Sequence, residues 1–228
     1  SALGAGPVEV CGNLKFDVTP SADKIALGSE WKNALGHRPV WLAASTREGE
    51  EALLLEAWRR VNVADALLVL VPRHPQRFDE VAALLQSEGL RFVRRSVAMP
   101  AADTQVWLGD SMGEMVAYYA LADLAFIGGS LLPLGGQNLI EAAACGCPVL
   151  IGPHTFNFKQ ATEDAIAAGA AQRVDSPEML AAAVNRIFSQ KTELLKMRSA
   201  AGTFARTHQG ATQRILALIE RWTGRARR

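Results

Sequence analysis

The chain has 228 residues, of which 49% are hydrophobic, so it is long enough to bury a sizeable core. Its 24 lysines and arginines nearly balance its 23 aspartates and glutamates, and this balance argues against nucleic acid as a partner. Three cysteines are too few for a disulfide framework, and Cys145 and Cys147 lack the second pair that a zinc site needs. No apolar run approaches the ~18 residues of a membrane span.

Short apolar stretches alternate with helical patterns along most of the chain. In chain order the patterns predict a strand at 39–44, a helix at 50–61, a strand at 66–71 and a helix at 76–88. Strands follow at 91–97 and 106–108, then a helix at 113–122 and a strand at 124–127. The remaining elements are a helix at 138–145, a strand at 149–151, a helix at 158–168, a strand at 171–174 and helices at 177–189, 191–207 and 212–223.

Continuous apolar strands separated by helices predict a parallel sheet that is covered on both faces. The predicted fold class is therefore α/β, a doubly wound Rossmann-like domain, whose ligands bind at the carboxyl ends of the strands. The segments that follow predicted strands are 45–48, 72–74, 109–111, 128–130 and 152–154, and four of these five are polar, charged or glycine-rich. We expect the ligand to lie against these segments.

Gly135 and Gly136 stand directly before the predicted helix at 138–145. The N–H groups and the dipole at a helix start attract phosphate, and glycine lets an anion approach the backbone closely. Amides at 136–138 would then bind a phosphate, and Glu141, one turn into the helix, would accept hydrogen bonds from a ribose. The alternative, which these residues support equally, is that the glycines form tight turns and the acid lies on a solvated helix face.

A basic cluster follows the most apolar predicted strand, in the segment PRHPQRF. Arg73 and Arg77 would grip a phosphate or a carboxylate, and His74 would donate a further hydrogen bond. Pro75, in the first helical turn, sets the direction in which the chain enters the helix. The alternative interpretation is an ordinary helix start with basic surface residues.

Two further strand ends are interpreted as helix starts. Ser111 and Glu114 match a capping box, and the same geometry leaves the backbone of Met112 and Gly113 free to face a ligand. The segment STREGEE at 45–51 carries acids in what would be the first helical turn. In neither segment do the residues distinguish a helix cap from a binding loop.

Five segments together resemble the carboxyl-terminal half of the 3-deoxy-D-manno-octulosonic acid (Kdo) transferases of lipopolysaccharide synthesis. They occur in family order as STREGEE, VPRHPQRF, DSMGEM, FIGGSL and GGQNLIEAAACGCPVLIGP…NF. The segment GNLKFD at 12–17 resembles the strand that enters this half, and the likeness extends to about Arg173. One departure is Ala142, near which the family pattern has a proline.

The resemblance implies the C-terminal domain of a GT-B glycosyltransferase, in which two Rossmann-like domains face each other. It implies CMP-Kdo as the donor, a lipid A precursor as the acceptor, and an inverting reaction without a metal or other cofactor. The implied boundaries are a linker and entry strand at 1–18, a donor-binding domain at 19–207, and a C-terminal helix with a basic tail at 208–228.

The general base and the acceptor site would lie in an N-terminal domain outside this sequence, so no catalytic residue is assigned. The chain opens at Ser1, and we expect it to be a piece of a longer protein at the cytoplasmic face of the bacterial inner membrane. By itself it is expected to bind CMP without turnover. The three arginines within 222–228 are interpreted as a solvated tail, with a weak contact to an acidic lipid surface as the alternative.

Carried over position by position, the resemblance places the CMP contacts at Pro72 and Arg73, at 112–114 and at 138–141, with 128–130 facing the Kdo or its phosphate. Together with the neighbours that the residues themselves suggest, the predicted substrate-binding set is Pro72, Arg73, His74, Arg77, Ser111, Met112, Gly113, Glu114, Gly128, Gly129, Ser130, Gly136, Gln137, Asn138, Leu139, Ile140 and Glu141. Two alternatives stay open: a GT-B transferase or epimerase domain that takes a UDP-sugar, and a nucleotide-binding module without catalysis.

Overall fold

The computed structural model of the chain describes residues 8–223, in which seven parallel strands form one sheet. The strands are β1 (Val40–Thr46), β2 (Leu67–Pro72), β3 (Phe92–Arg94), β4 (Val106–Leu108), β5 (Leu124–Ile127), β6 (Val149–Ile151) and β7 (Ala171–Arg173). They are arranged in the order β3-β4-β2-β1-β5-β6-β7. The predicted doubly wound parallel sheet is confirmed.

Helices cover both faces of this sheet. Within the described residues they are α1 (Ala22–Leu35), α2 (Glu50–Trp58), α3 (Phe78–Ser87), α4 (Met115–Leu121), α5 (Ile140–Ala144), α6 (Lys159–Ala167), α7 (Pro177–Ser189), α8 (Lys191–His208) and α9 (Ala211–Thr223). Short 3₁₀ turns occur at Leu14–Phe16, Pro75–Arg77 and Phe156–Phe158.

The segment before α1 differs from the prediction, because residues 12–17 form no strand. Leu14–Phe16 is a 3₁₀ turn, and the Asn13 side chain accepts a hydrogen bond from the Lys15 amide. Phe16 is buried, and its ring lies 5.5 Å from that of Phe204 on α8. The segment therefore packs its aromatic side chain against a helix instead of pairing with the sheet.

The central strands bury side chains on both of their faces, because successive residues of a strand point to opposite sides. Val40, Leu42 and Ala44 of β1 belong to a core that α1, α4 and α5 cover. Trp41 and Ala43 belong to a second core that α2, α3 and α7 cover. This double burial explains why the strands are continuous apolar runs without alternation.

The direction of the strand order reverses between β1 and β5, which are neighbours in the sheet. Loops on the two sides of such a switch point diverge and leave a crevice at the carboxyl ends of the strands. The backbones approach closely here, since a Cβ added to Gly128 would stand 2.3 Å from the Ser45 carbonyl oxygen. The register of β1 against β2 also shifts between Ala44 and Thr46. The end of β1 is therefore irregular at the place where a ligand is expected.

The last helix packs beside the segment that precedes α1. The Asp17 carboxylate accepts hydrogen bonds from the Thr212 side chain and from the amides of Thr212 and Gly210, and these bonds lower the pKa of Asp17 to about 2. Arg214 Nε donates to the Cys11 carbonyl oxygen at 2.8 Å.

No helix within 8–223 is both long and apolar enough to cross a bilayer. The three arginines of the predicted basic tail lie outside the described residues.

Candidate functional site

A cavity of about 320 Å³ opens at the carboxyl ends of β1, β2 and β4, next to the first residues of α4 and α5. This volume lies within the range of small-ligand sites. Its walls combine three of the predicted segments with residues from β1 and α4. They are Ser45, Val71, Pro72, Arg73, Ser111, Met112, Gly113, Met115, Tyr118, Tyr119, Gln137, Asn138 and Glu141.

Arg73 follows β2 at the rim of this cavity. Its amide donates to the Thr46 carbonyl oxygen at 2.9 Å, which joins the ends of β2 and β1. Its guanidinium is exposed and makes no hydrogen bond or ion pair with any residue of 8–223. A guanidinium without a protein acceptor is available to an anionic ligand. The neighbouring His74 is also exposed, but it does not line the cavity.

Arg77, the second arginine predicted to grip the ligand, is turned away from the cavity. Its Nη2 donates to Glu51 Oε2 at 3.1 Å, and carboxylate oxygens of Glu48 and Glu80 lie 3.9 and 3.8 Å from its other nitrogens. Glu51 is buried and also accepts from Thr46 Oγ1 at 2.8 Å. The predicted role of Arg77 is wrong, because a buried carboxylate needs a partner and takes this guanidinium.

The loop after β4 forms the opposite wall. Ser111 Oγ donates to Glu114 Oε2 at 2.5 Å, and Arg95 Nη2 donates to Glu114 Oε1 at 3.2 Å. Since the single hydroxyl proton of Ser111 goes to Glu114, the Tyr118 hydroxyl, 2.9 Å away, must be the donor to Ser111. Burial raises the pKa of Tyr118, which keeps this phenol protonated.

The same contacts correct the predicted capping box. Helix α4 begins at Met115, and the Ser111 hydroxyl bonds the Glu114 side chain instead of a backbone amide. Gly113 has a φ of 73°, which turns the loop before the helix. Met112 and Gly113 remain exposed on the cavity wall, and the binding-loop interpretation of this segment stays a prediction.

Glu141 lies in the first turn of α5, half-buried in the cavity wall. Burial raises the pKa of its carboxyl above the usual value, and the positive charge of Arg73 opposes this shift. Its carboxylate accepts no hydrogen bond from the described residues. A carboxylate that is partly withdrawn from water and lacks a protein donor can accept hydrogen bonds from ligand hydroxyl groups.

The predicted anion nest at 136–138 is wrong for two of its three amides. The Gly136 amide donates to the Gly129 carbonyl oxygen at 2.7 Å, and the Gln137 amide donates to the Gly128 carbonyl oxygen at 2.9 Å. The glycine loop therefore closes on the loop that follows β5, and these donors are not free for a ligand.

The start of α5 is also shorter than predicted. The helix begins at Ile140, whose amide donates to Asn138 Oδ1 at 2.9 Å. Leu139 and Ile140 are fully buried in the core. Their side chains cannot contact a ligand, because the inner face of α5 packs on the sheet. Asn138 and Glu141 are the members of this segment that reach the cavity.

Gly128, Gly129 and Ser130, predicted to face the sugar or its phosphate, are buried and do not line the cavity. The Glu50 carboxylate accepts from the Gly129 amide at 2.5 Å and from the Ser130 amide at 2.9 Å. Ser130 Oγ donates to the Ile127 carbonyl oxygen. The prediction is wrong because an anion of the protein itself already occupies these donors.

Five cavity residues were missing from the predicted site, namely Ser45, Val71, Met115, Tyr118 and Tyr119. Ser45 has a φ of 56°, which is uncommon for a residue with a side chain. Its position at a strand end was visible in the sequence. The two tyrosines carried no such signal, since aromatic residues in a predicted helix are equally typical of a core. No group of three or more potential metal ligands was found within 8–223.

Comparison with known proteins gives consistent matches. The family model "Glycosyl transferases group 1" matches residues 52–208. The 3-deoxy-D-manno-octulosonic acid transferase of Bordetella pertussis is 47% identical over 228 residues, which cover 97% of this chain and 53% of that protein. The Haemophilus influenzae transferase of the same name is 37% identical over 221 residues, 93% of this chain and 51% of that protein.

A solved structure has a similar fold over most of this chain. The crystal structure of the C-terminal CMP-Kdo binding domain of WaaA from Acinetobacter baumannii superposes with a TM-score of 0.76 at 32% identity, covering 81% of this chain and 98% of that one. The chain spans about half the length of the curated relatives it matches. The predicted resemblance and the GT-B domain fold are thereby confirmed. The chain belongs to the glycosyl transferases group 1 family, and its sequence and fold are similar to those of Kdo transferases and of a C-terminal CMP-Kdo binding domain.

Proposed function

We propose that this chain is the donor-binding half of a Kdo transferase and that it binds CMP-Kdo through its cytidylate. The observation that carries the proposal is the pair formed by Arg73 and Glu141, a guanidinium and a carboxylate without hydrogen-bond partners in the described residues, in one cavity of about 320 Å³. The transferase names of the relatives and the CMP-Kdo binding domain of the Acinetobacter protein support this assignment.

In this proposal the two side chains have separate tasks. Arg73 binds the phosphate, and its charge stabilises the negative charge that grows on the departing nucleotide as the glycosidic bond breaks. Glu141 accepts hydrogen bonds from the ribose hydroxyls. The exposed backbone of Met112 and Gly113 forms the facing wall. Because CMP leaves with a single phosphate, we expect one guanidinium to supply this stabilisation without a metal.

The acceptor is proposed to be a lipid A precursor, bound by the half that this sequence does not include, at the cytoplasmic face of the inner membrane. That half would also supply the general base for an inverting transfer. We therefore expect no transfer when this chain alone is incubated with CMP-Kdo and a lipid A precursor. Turnover under these conditions, measured as CMP release, would show that the chain contains its own base.

Calorimetry with CMP, UMP and UDP tests the donor assignment. We expect the chain to prefer CMP, and a preference for UDP would assign the site to a UDP-sugar enzyme instead. Arg73→Ala should weaken CMP binding by about ten- to hundredfold, because a hydrogen bond to a charged group contributes about 1.5–3 kcal/mol. The matched control is Arg206→Ala, which removes an exposed arginine from α8. Equal losses in the two variants would contradict a specific phosphate contact.

A further inference from the structure

Glu50 is a fully buried carboxylate for which the proposed chemistry has no use. It is the first residue of α2, and its side chain accepts four backbone amides. Oε2 accepts from Gly129 at 2.5 Å and from Arg47 at 3.0 Å, and Oε1 accepts from Ser130 at 2.9 Å and from Leu131 at 3.0 Å. Because no cation of residues 8–223 pairs with it, these charge-assisted hydrogen bonds offset the desolvation of its charge.

These four bonds join the ends of the two strands at which the sheet order reverses. Arg47 lies in the turn after β1, and 129–131 lie in the loop after β5. Helix α2 starts between them and directs its first side chain into that loop. Glu50 therefore links the two loops at the base of the crevice.

The loop that Glu50 holds also bonds the backbone at 136–137, which leads into the next wall of the cavity. The peptide unit that donates its Gly129 N–H to Glu50 carries the Gly128 carbonyl, which accepts from the Gln137 amide. The unit that donates its Ser130 N–H carries the Gly129 carbonyl, which accepts from Gly136. Both units are thus polarised from both ends, and hydrogen bonds in such a chain strengthen one another.

The segment fixed in this way leads directly into the ligand-facing residues. Gln137 is followed by Asn138, whose Oδ1 accepts from the first amide of α5, and Glu141 is the next residue after that amide. We propose that Glu50 is a positioning residue of the donor site, which orients Asn138 and Glu141 through the β5 loop without touching the ligand. The identity of that ligand as a cytidylate rests on the proposed function.

The chain offers a matched control at the opposite end of the same strand pair. Asp123, just before β5, accepts from the Val40 amide at 2.9 Å and pairs with Lys32 Nζ at 2.5 Å. Asp123→Asn therefore perturbs a half-buried carboxylate that bonds the backbone, but it leaves the 128–137 contacts unchanged. Glu50→Gln keeps the side-chain shape and directs an amide nitrogen at backbone donors.

The first test needs no nucleotide. In amide NMR spectra of the two variants, Glu50→Gln should shift the resonances of Gly136, Gln137 and Asn138, whereas Asp123→Asn should leave them in place. Resonances at 136–138 that stay unchanged in Glu50→Gln would overturn the proposal. This outcome is independent of which ligand the cavity takes.

The second test uses CMP as the probe. Glu50→Gln should weaken CMP binding by about tenfold, the effect of about one lost hydrogen bond to a charged group, while Asp123→Asn should change it by less than about twofold. Equal affinity of Glu50→Gln and the unmodified chain would refute the positioning role. Failure of the unmodified chain to bind CMP would instead refute the proposed function, and the NMR test would still decide the role of Glu50.

A third measurement covers the case in which Glu50→Gln does not fold. In the unmodified chain, saturating CMP should slow hydrogen exchange at the Gly129 and Ser130 amides, although these residues do not line the cavity. Unaltered exchange at both amides would show that the β5 loop is not coupled to the site, and the proposal would fail.

Discussion

Glu141→Gln tests the proposed ribose contact, because the binding of CMP and the stability of the free chain should respond in different directions. Burial raises the pKa of the Glu141 carboxyl, so the folded chain holds this proton more tightly than the unfolded chain does. Stability therefore falls as the pH rises from the usual glutamate pKa through the raised value. Near neutral pH the ionised side chain carries this full cost, and glutamine removes it.

The affinity for CMP should fall in Glu141→Gln, whereas the stability should not. A hydrogen bond from a ribose hydroxyl to a carboxylate contributes about 1.5–3 kcal/mol, and glutamine retains one carbonyl oxygen that can accept. We therefore expect a loss near the lower end of this range, which corresponds to an affinity about tenfold weaker. The melting temperature of the free chain should stay equal or rise near neutral pH, and any gain should vanish below the usual glutamate pKa.

Calorimetry from about pH 5 to about pH 8 separates this effect from the titration of the nucleotide, whose phosphate loses its second proton near pH 6. That contribution is common to both proteins, so the difference between them belongs to Glu141. The control is Glu30→Gln, which removes an exposed carboxylate of α1. Affinities of Glu141→Gln and the unmodified chain within about twofold of each other would refute the ribose contact. A lowered melting temperature would refute the burial argument.

Two further predictions concern the frame around the site. Arg77→Ala should lower the free energy of unfolding by about 3 kcal/mol, since it leaves the buried Glu51 without its cation, and urea titration should show this while calorimetry finds CMP affinity little changed. If Arg77→Ala instead loses CMP affinity while its free energy of unfolding is unchanged, Arg77 belongs to the binding site. Gly152→Ala should depress the melting temperature strongly, because the added Cβ would stand 2.1 Å from the Ser130 carbonyl oxygen. Gly202→Ala, in α8, should instead stabilise the chain by about 0.5–1 kcal/mol, and similar effects of the two substitutions would contradict the clash.

Local patterns were sufficient to predict the sheet and the edge of the sheet at which the cavity opens. Apolar runs of strand length between amphipathic helices require a parallel sheet, and the carboxyl ends of such strands converge on one edge. For that reason Arg73, Ser111, Asn138 and Glu141, which lie far apart in the chain, were expected together and line one cavity. Helix α1 escaped prediction because its packing surface includes Gly28, where an added Cβ would stand 2.3 Å from the Ala117 carbonyl oxygen, so it has no clear apolar stripe.

What the sequence alone determined was which segments meet at the sheet edge, because burial and chain direction follow from residue pattern over a few turns. Which donors remain free at that edge was decided only by the tertiary structure. Glu50 reaches amides 79 to 81 residues away, and Arg77 pairs with an acid 26 residues back along the chain. A buried polar group bonds whichever partner the packed fold brings within about 3 Å. The spacing of two residues in the sequence does not predict whether their polar atoms come within that distance.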